Sequence, residues 1–238
     1  MLDQLVIVDY QEGAGGEFLA SFISAHWGRK LSCDTQRDPD NFQKLLNSYG
    51  LTYTNWNLEF DAHFANWLAM CNQQLIKKIS VPYHLYKWPH HVQKIKSHVP
   101  HARFIRINVI NHLDIVMADF ERKVLNCKLT IKDIHEISFL SKSSNIDKRL
   151  LVNKLKDGSL TRQDLFPNIE PHDCIIPLPS QDIEIDYGSW FIDSNRTLAA
   201  YKELCSQLGL VPNLLLLHRL INRNNKNQED LKKYLNTI

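Results

Sequence analysis

The chain has 238 residues, of which 44% are hydrophobic and 23% charged, and its formal net charge is +2. These are the values of a globular protein that is long enough for a full hydrophobic core. The small net charge argues against a protein built mainly to hold nucleic acid. No apolar run approaches the roughly 18 residues that cross a bilayer, so we expect a soluble protein that does not associate with membranes.

The five cysteines indicate a reducing, cytoplasmic setting. They are scattered along the chain, odd in number and without a C-x-x-C pair. Neither disulfides nor a bound metal is therefore expected. The N-terminus also lacks the basic, apolar and cleavage-site regions of a secretory signal, which favours the same location.

A strand, a glycine-rich turn and a helix are predicted at the N-terminus. The apolar run 5–8 leads into the turn, and apolar residues at helical spacing follow to about residue 26 or 27. Glycines let a backbone approach an anion closely, and a helix start adds partial positive charge. The predicted phosphate ligands are Gly13, Ala14, Gly15, Gly16, Glu17 and Phe18. The Lys and Ser/Thr of the usual P-loop pattern are absent.

The middle of the chain predicts two further strands. Helices near residues 40–46 and 58–79 come first, and the second of these is amphipathic. A strand from residue 79 then ends in a loop that contains His84 and Lys87, before a helix through residue 96. The next strand, 104–109, contains Arg106 and Asn108 and leads into another helix through Asn111 and Asp114. This alternation of strands and helices predicts a mainly parallel sheet.

The second half of the chain is predicted to be mostly helical. Residues 131–165 are polar and rich in lysine, which fits either a lid or partner-binding insertion or an ordinary solvated helical face. A strand at 183–187 precedes a helix that Gly209 ends. A last apolar helix follows Pro212, and the polar tail from Arg223 ends in a charged helix.

Together these elements predict one α/β domain over residues 1–238. Its fold would be a three-layer sandwich around a mainly parallel sheet, with a basic helical insertion at about 128–166. Ligands of such sheets gather at the carboxyl ends of the strands. The glycine-rich turn, the loop at His84 and the segment from Asn108 to Asp114 should therefore share one edge.

The order of motifs resembles the sulfotransferase family, whose fold is P-loop NTPase-like. Residues 6–23 look like the family's 5′-phosphosulfate loop, and residues 102–121 look like its 3′-phosphate region. Residues 186–193 and 208–210 are similar to its C-terminal block. The resemblance covers most of the chain and implies transfer of sulfuryl from 3′-phosphoadenosine-5′-phosphosulfate (PAPS) to a hydroxyl or amine. The loop Lys and the 3′-site Arg and Ser of the family are replaced here, so the cofactor motifs are degenerate.

The resemblance implies roles for particular residues. His84 stands where the family has its catalytic base, and Lys87 could offset charge on the leaving oxygen. Arg106, Asn108, Asn111 and Asp114 would lie along the 3′-phosphate region. The acceptor would be a small molecule, a glycan or a peptide.

The alternative is a P-loop-like module without catalytic activity. It would bind another phosphate-containing ligand, or a protein partner through the basic insertion. Nucleic acid is the less favoured partner, because the sequence shows no basic stripe with interleaved aromatic residues. Whether the chain is an enzyme is left open by the sequence.

Overall fold

A parallel sheet lies at the centre of the structure, a computed structural model that describes residues 2–10, 15–29, 56–85, 88, 90–108, 153, 154, 157, 159 and 182–236. Its strands are β1 (Gln4–Asp9), β2 (Lys78–Tyr83), β3 (Arg103–Asn108) and β4 (Ile183–Asp186). The strand order is β2-β1-β3-β4, and all neighbouring strands run parallel. The predicted α/β class with a parallel sheet is confirmed.

Helices cover both faces of this sheet. They are α1 (Gly16–Ala25), α2 (Trp56–Gln73), α3 (His91–His98), α4 (Ser194–Leu208) and α5 (Leu214–Asn236). A π-helical turn, Gly188–Ile192, joins β4 to α4. One core cluster contains Phe22 of α1, Tyr201 of α4 and Leu220 of α5. The cluster on the other face contains Trp67 of α2 and Ile95 of α3, so the described residues form three layers.

The apolar run of β1 is explained by these two layers. Residues 5–8 are all fully buried. Val6 and Val8 belong to the cluster with α1, whereas Leu5 and Ile7 belong to the cluster with α2. A strand that is covered on both faces needs apolar side chains at every position rather than at alternate ones. β1 is therefore an inner strand of the sheet, between β2 and β3.

Two helix boundaries differ from the sequence expectations. The helix predicted over 58–79 ends at Gln73, and Leu75 takes a positive φ of 57° before β2 starts at Lys78. At the C-terminus the predicted pair of helices is the single helix α5, since no proline or glycine interrupts it. Within the described part of the chain, no helix combines the length and apolarity of a membrane span.

The outer edge of β2 is closed by a serine of α1. The Ser24 hydroxyl accepts a hydrogen bond from the Ser80 N–H at 2.9 Å and donates one to the Ser80 carbonyl at 3.0 Å. Both groups are buried. The hydroxyl therefore takes the place of a neighbouring strand at the centre of this edge.

The strand order creates a switch point between β1 and β3. From β1 the chain passes to β2 on one side, and then crosses to β3 and β4 on the other. Ligands of parallel sheets bind at the carboxyl ends of strands that diverge in this way. The β1–α1 turn lies at this point. The predicted helix near 40–46 and nearly all of the basic insertion at 128–166 lie outside the described residues.

Gly16 allows α1 to begin directly against the end of β1. A Cβ atom at this position would overlap Cγ of Tyr10, which is buried. The overlap is with the base of a side chain rather than with a flexible tip, so relief would require the backbone to move. Among the described glycines, Gly16 has the shortest distance between the ideal Cβ position and a neighbouring atom.

We expect Gly16→Ala to lower the free energy of unfolding by about 1–3 kcal/mol, because overpacking outweighs the better helix propensity of alanine. Gly209→Ala is the control, since Gly209 has a φ of 64° but open space around its Cα. The free energy of unfolding of that variant should fall by only about 1 kcal/mol, which is the cost of placing alanine in the left-handed region. Urea denaturation of both variants measures the difference. A smaller loss for Gly16→Ala than for Gly209→Ala would contradict the close approach.

Candidate functional site

The β1–α1 turn presents the start of a helix at the switch point. Gly15 is the N-cap residue and lies in the left-handed region, with φ 71° and ψ 16°. The first helical hydrogen bond runs from the Leu19 N–H to the Gly15 carbonyl at 2.9 Å. The N–H groups of residues 16–18 precede this bond, and no side chain caps the helix at its N-cap residue. Such a helix start can donate to an anion.

His84 lies beside this turn, directly after β2. Its Nδ1 is 2.9 Å from the Tyr10 carbonyl oxygen, and the two rings are 4.5 Å apart. Since a carbonyl only accepts hydrogen bonds, Nδ1 must carry the proton and donate it. In the neutral ring the lone pair therefore resides on Nε2. Tyr10 contacts both the start of α1 and His84, and so it holds the imidazole next to the turn.

Arg106 and Asp9 form a buried ion pair between β3 and β1. The two residues are register partners, and the arginine donates Nε and Nη2 to Asp9 Oδ2, each at 3.0 Å. Asp9 is 1% exposed and Arg106 is 7% exposed. The guanidinium that the sequence assigns to a phosphate thus already has a carboxylate partner at the switch point.

Asn108 ends β3 and connects it to β4. Its Nδ2 donates to Glu184 Oε2 at 2.9 Å, diagonally across the pair, since the register partner of Asn108 is Asp186. The structure therefore brings Asn108 to the carboxyl edge of the sheet, as expected, with its amide directed toward a β4 side chain.

Arg223 is a cation near the turn that the sequence reasoning missed. Its guanidinium carbon lies 4.4 Å from the ring centre of Phe18, in the first turn of α1, and 5.9 Å from that of Phe191. The Phe191 ring in turn is the nearest group to Gly15, about 3.0 Å from where a Cβ would stand. The sequence offered no signal for this, because 205 positions separate Arg223 from Phe18 in the numbering.

Asn224 fixes the place of Arg223. It is buried, and its Nδ2 donates to the Trp190 carbonyl at 2.8 Å in the π-helical turn after β4. The neighbouring guanidinium is half-buried against the two aromatic rings. The positive charge is thereby held beside the N-terminal turn of α1, where an anionic ligand would be stabilised by it.

His91 is a buried neutral histidine on the other side of β2. Its ring stacks on Phe60 at 3.9 Å and on Trp88 at 5.6 Å, and its Nδ1 is 2.7 Å from the Tyr83 hydroxyl. The pKa of His91 is lowered to about 3, mainly by burial and also by the nearby His90 and Lys94, against a smaller opposing effect of Asp61. Burial also raises the pKa of Tyr83. This pair is uncharged at neutral pH and belongs to the core.

Several predicted site residues lie outside the described residues: Gly13, Ala14, Lys87, Asn111 and Asp114. Those that are described, from Gly15 to Phe18 with His84 and Asn108, lie at the carboxyl edge of the sheet, whereas Arg106 lies within β3. Among the described residues, no group of three or more His, Cys, Asp or Glu side chains is placed to hold a metal ion.

Comparison with known proteins gives no relative for this chain. No family model matches it, and neither a curated protein nor a solved structure matches it.

Removal of the Asp9 carboxylate should leave Arg106 as an uncompensated buried charge. We expect Asp9→Ala to cost about 3–5 kcal/mol of unfolding free energy, and Asp9→Leu combined with Arg106→Met to recover most of it. Asp61→Ala is the control, because its pair with Lys94 is half-exposed and should contribute at most about 1 kcal/mol. Equal losses for Asp9→Ala and Asp61→Ala, read from chemical denaturation, would show that the Asp9 pair is not a buried one.

His91 should make the protein less stable in acid. Its pKa is about 3 when folded and 6.5 in the reference state, so between these values the unfolded chain binds the extra proton. The free energy of unfolding should therefore fall as the pH is lowered from 6.5 toward 3, by up to about 1.4 kcal/mol per pH unit from this group. His91→Phe, which keeps the aromatic stack, should reduce the slope. Identical slopes for the two proteins would rule out His91 as the cause.

Proposed function

We propose that this chain is a sulfotransferase-like protein that holds PAPS at the β1–α1 turn and transfers its sulfuryl group to a hydroxyl or amine acceptor. The observation that carries the proposal is the position of His84. Its ring lies against Tyr10, whose ring packs on Gly16 at the start of α1. The Tyr10 side chain therefore lies between the imidazole of His84 and a helix start that can bind an anion.

The anion would be held mainly by the backbone of the turn. The N–H groups at the start of α1 and the partial positive charge of the helix favour a phosphate or sulfate there. The loop lacks the lysine of the sulfotransferase motif, and Arg223 offers a replacement, since its charge lies against Phe18 in the first helical turn. Arg223 therefore supports the proposal at the point where the loop sequence lacks the expected lysine.

His84 would act as the general base. The donation of Nδ1–H to Tyr10 fixes the tautomer in which Nε2 accepts a proton. When the acceptor attacks sulfur, its proton would pass to Nε2, while the bond between sulfur and the donor's phosphate oxygen breaks. Lys87, outside the described residues, would offset the charge that develops on that oxygen.

The described residues offer weaker support for binding of the 3′-phosphate of PAPS than for binding of its 5′-phosphosulfate. Arg106 already donates two N–H groups to Asp9, so a phosphate would have to share this guanidinium with a carboxylate. That observation favours the second candidate, a module without catalytic activity that binds a simpler phosphate-containing ligand. The basic region at 128–166 is its proposed contact surface for a protein partner. We propose a cytoplasmic location for either function, on the pattern of the cysteines.

Calorimetric titration with 3′-phosphoadenosine-5′-phosphate and with AMP separates the two candidates. A sulfotransferase-like site should bind the first ligand at least tenfold more tightly, because a charge-assisted contact to the 3′-phosphate contributes about 1.5–3 kcal/mol. Equal affinities would favour the simpler phosphate site. No heat with either nucleotide at millimolar concentration would reject nucleotide binding.

If the nucleotide binds, variants of three residues assign the roles. Arg223→Gln should weaken binding about tenfold or more, whereas Arg219→Gln, exposed on the same helix, should not change it. His84→Asn keeps a donor for the Tyr10 carbonyl but removes Nε2. It should reduce sulfuryl transfer to a panel of phenols and amines by about 100-fold or more while leaving nucleotide affinity intact. A parallel loss of affinity would reject His84 as the base.

A further inference from the structure

A hydrogen-bond network joins the end of α1 to the start of α5. His26 follows α1, and its Nδ1 lies 3.2 Å from the Val211 carbonyl oxygen in the loop before α5. Its Nε2 lies 3.3 Å from the hydroxyl of Tyr201 in α4. That hydroxyl accepts a hydrogen bond from the Asn213 N–H at 2.6 Å and lies 3.2 Å from the Asn213 carbonyl oxygen. The hydroxyl of one buried tyrosine therefore connects three helices.

Asn213 is the residue at which α5 begins. Its side-chain Oδ1 accepts from the N–H groups of Leu215 and Leu216, at 3.0 Å and 3.2 Å. Its carbonyl accepts the first helical hydrogen bond, from the Leu217 N–H at 3.0 Å. Asn213 is therefore the N-cap of α5. The hydrogen bond from its own N–H to Tyr201 fixes the position of the helix start.

The Tyr201 hydroxyl satisfies this network whether His26 is neutral or protonated. Because the Val211 carbonyl only accepts, Nδ1 of His26 carries a proton, and in the neutral ring Nε2 accepts from Tyr201. In the protonated ring Nε2 donates to the Tyr201 oxygen, and the hydroxyl proton turns to the Asn213 carbonyl. Burial lowers the pKa of His26, against a smaller opposite effect of the Val211 hydrogen bond. Burial also raises the pKa of Tyr201 to about 12 and raises that of the adjacent Cys205 thiol, so both keep their protons at neutral pH.

The start of α5 contributes little to the hydrophobic core. Residues 211–215 are all exposed, and Val211 and Leu214 are 84% and 77% exposed. Apolar packing of the helix begins only at Leu216. Such packing is non-directional, whereas hydrogen bonds require particular distances and angles. The network therefore determines where the start of the helix lies along its own axis.

The same two helices meet again at the proposed anion site. From Asn213, α5 runs back along α1 to Arg223, whose guanidinium carbon lies 4.4 Å from the ring centre of Phe18. Ten positions separate Asn213 from Arg223, which is about 15 Å of helix. The hydrogen bond from Asn224 to the Trp190 carbonyl anchors the helix at this end. Two hydrogen-bonded points define the direction of α5, so loss of the first lets the helix pivot about the second.

We propose that Tyr201 is a positioning residue for Arg223: through His26 and Asn213 it holds the start of α5 against α1, and so holds the guanidinium beside Phe18. For the anion, this role rests on the function proposed for the β1–α1 turn. Tyr201 lies at the opposite end of α1 from the turn and acts only through α5.

Tyr201→Phe tests the positioning without any ligand, because it keeps the ring and removes the hydroxyl. The NMR signal of the Arg223 Nε–H is shifted by the two phenylalanine rings beside its guanidinium. We expect Tyr201→Phe, and likewise His26→Phe, to move this signal toward the value of an exposed arginine. Tyr83→Phe is the matched control, since it removes another buried hydroxyl that contacts a histidine, His91, on the other face of the sheet. An unmoved signal in Tyr201→Phe, or an equal movement in the control, would overturn the proposal.

A double-mutant cycle shows whether Tyr201 acts through Arg223. With 3′-phosphoadenosine-5′-phosphate as the probe, Tyr201→Phe should weaken binding about threefold or more, but should cause no further loss in an Arg223→Gln background. A merely structural role would give the same loss in both backgrounds, and that result would also overturn the proposal. If the unsubstituted chain binds no nucleotide while the Arg223 signal moves as expected, the function proposed for the turn fails and the positioning of Arg223 by Tyr201 stands.

Discussion

A buried ion pair joins the two strands between which a ligand of this sheet would enter. Asp9, the last residue of β1, faces Arg106 within β3, and both are almost completely buried. The charges of the two side chains cancel each other at the switch point, so Arg106 contributes little net positive charge there. Any anion that binds there must take most of its compensation from backbone N–H groups and from cations on other elements. This constraint explains why the position of Arg223 matters, since it brings charge to the turn from the far end of the chain.

Close packing around Tyr10 gives the site its geometry. Gly16 lets α1 approach the Tyr10 ring, and the Tyr10 carbonyl fixes the tautomer of His84. One residue thus connects β1, the helix start and the end of β2. This close packing restricts residue 16 to glycine, because a Cβ atom there would overlap the Tyr10 side chain. Glycine at this position is therefore explained by packing against Tyr10, whatever ligand the turn binds.

Much of the fold could be predicted from the sequence, because local patterns determine it. The run 5–8 predicted a buried strand, and Gly209, with its φ of 64°, ended a helix where expected. The edge shared by the turn, His84 and Asn108 followed from the rule that parallel strands end together. The continuity of α5 is not predicted, because the polar composition after Arg223 is typical of a tail, although nothing in residues 214–236 breaks a helix.

The electrostatics of the site could not be predicted in the same way. The pairing of Arg106 with Asp9 depends on strand order and register, which no local pattern encodes. Arg223 depends on the packing of α5 against the π-helical turn, a contact between distant segments. The buried state of His91 depends on Phe60 in another helix, so its neutral form also needed the tertiary structure.

Amide chemical-shift mapping during titration with 3′-phosphoadenosine-5′-phosphate tests the central claim most directly, since it shows where a ligand binds without assuming a reaction. The account predicts the largest shifts at the amides of residues 15–18, with smaller ones at His84 and around Arg223. Saturable shifts confined to other parts of the chain, with the amides of Gly15 and Gly16 unmoved, would contradict an anion site at the β1–α1 turn.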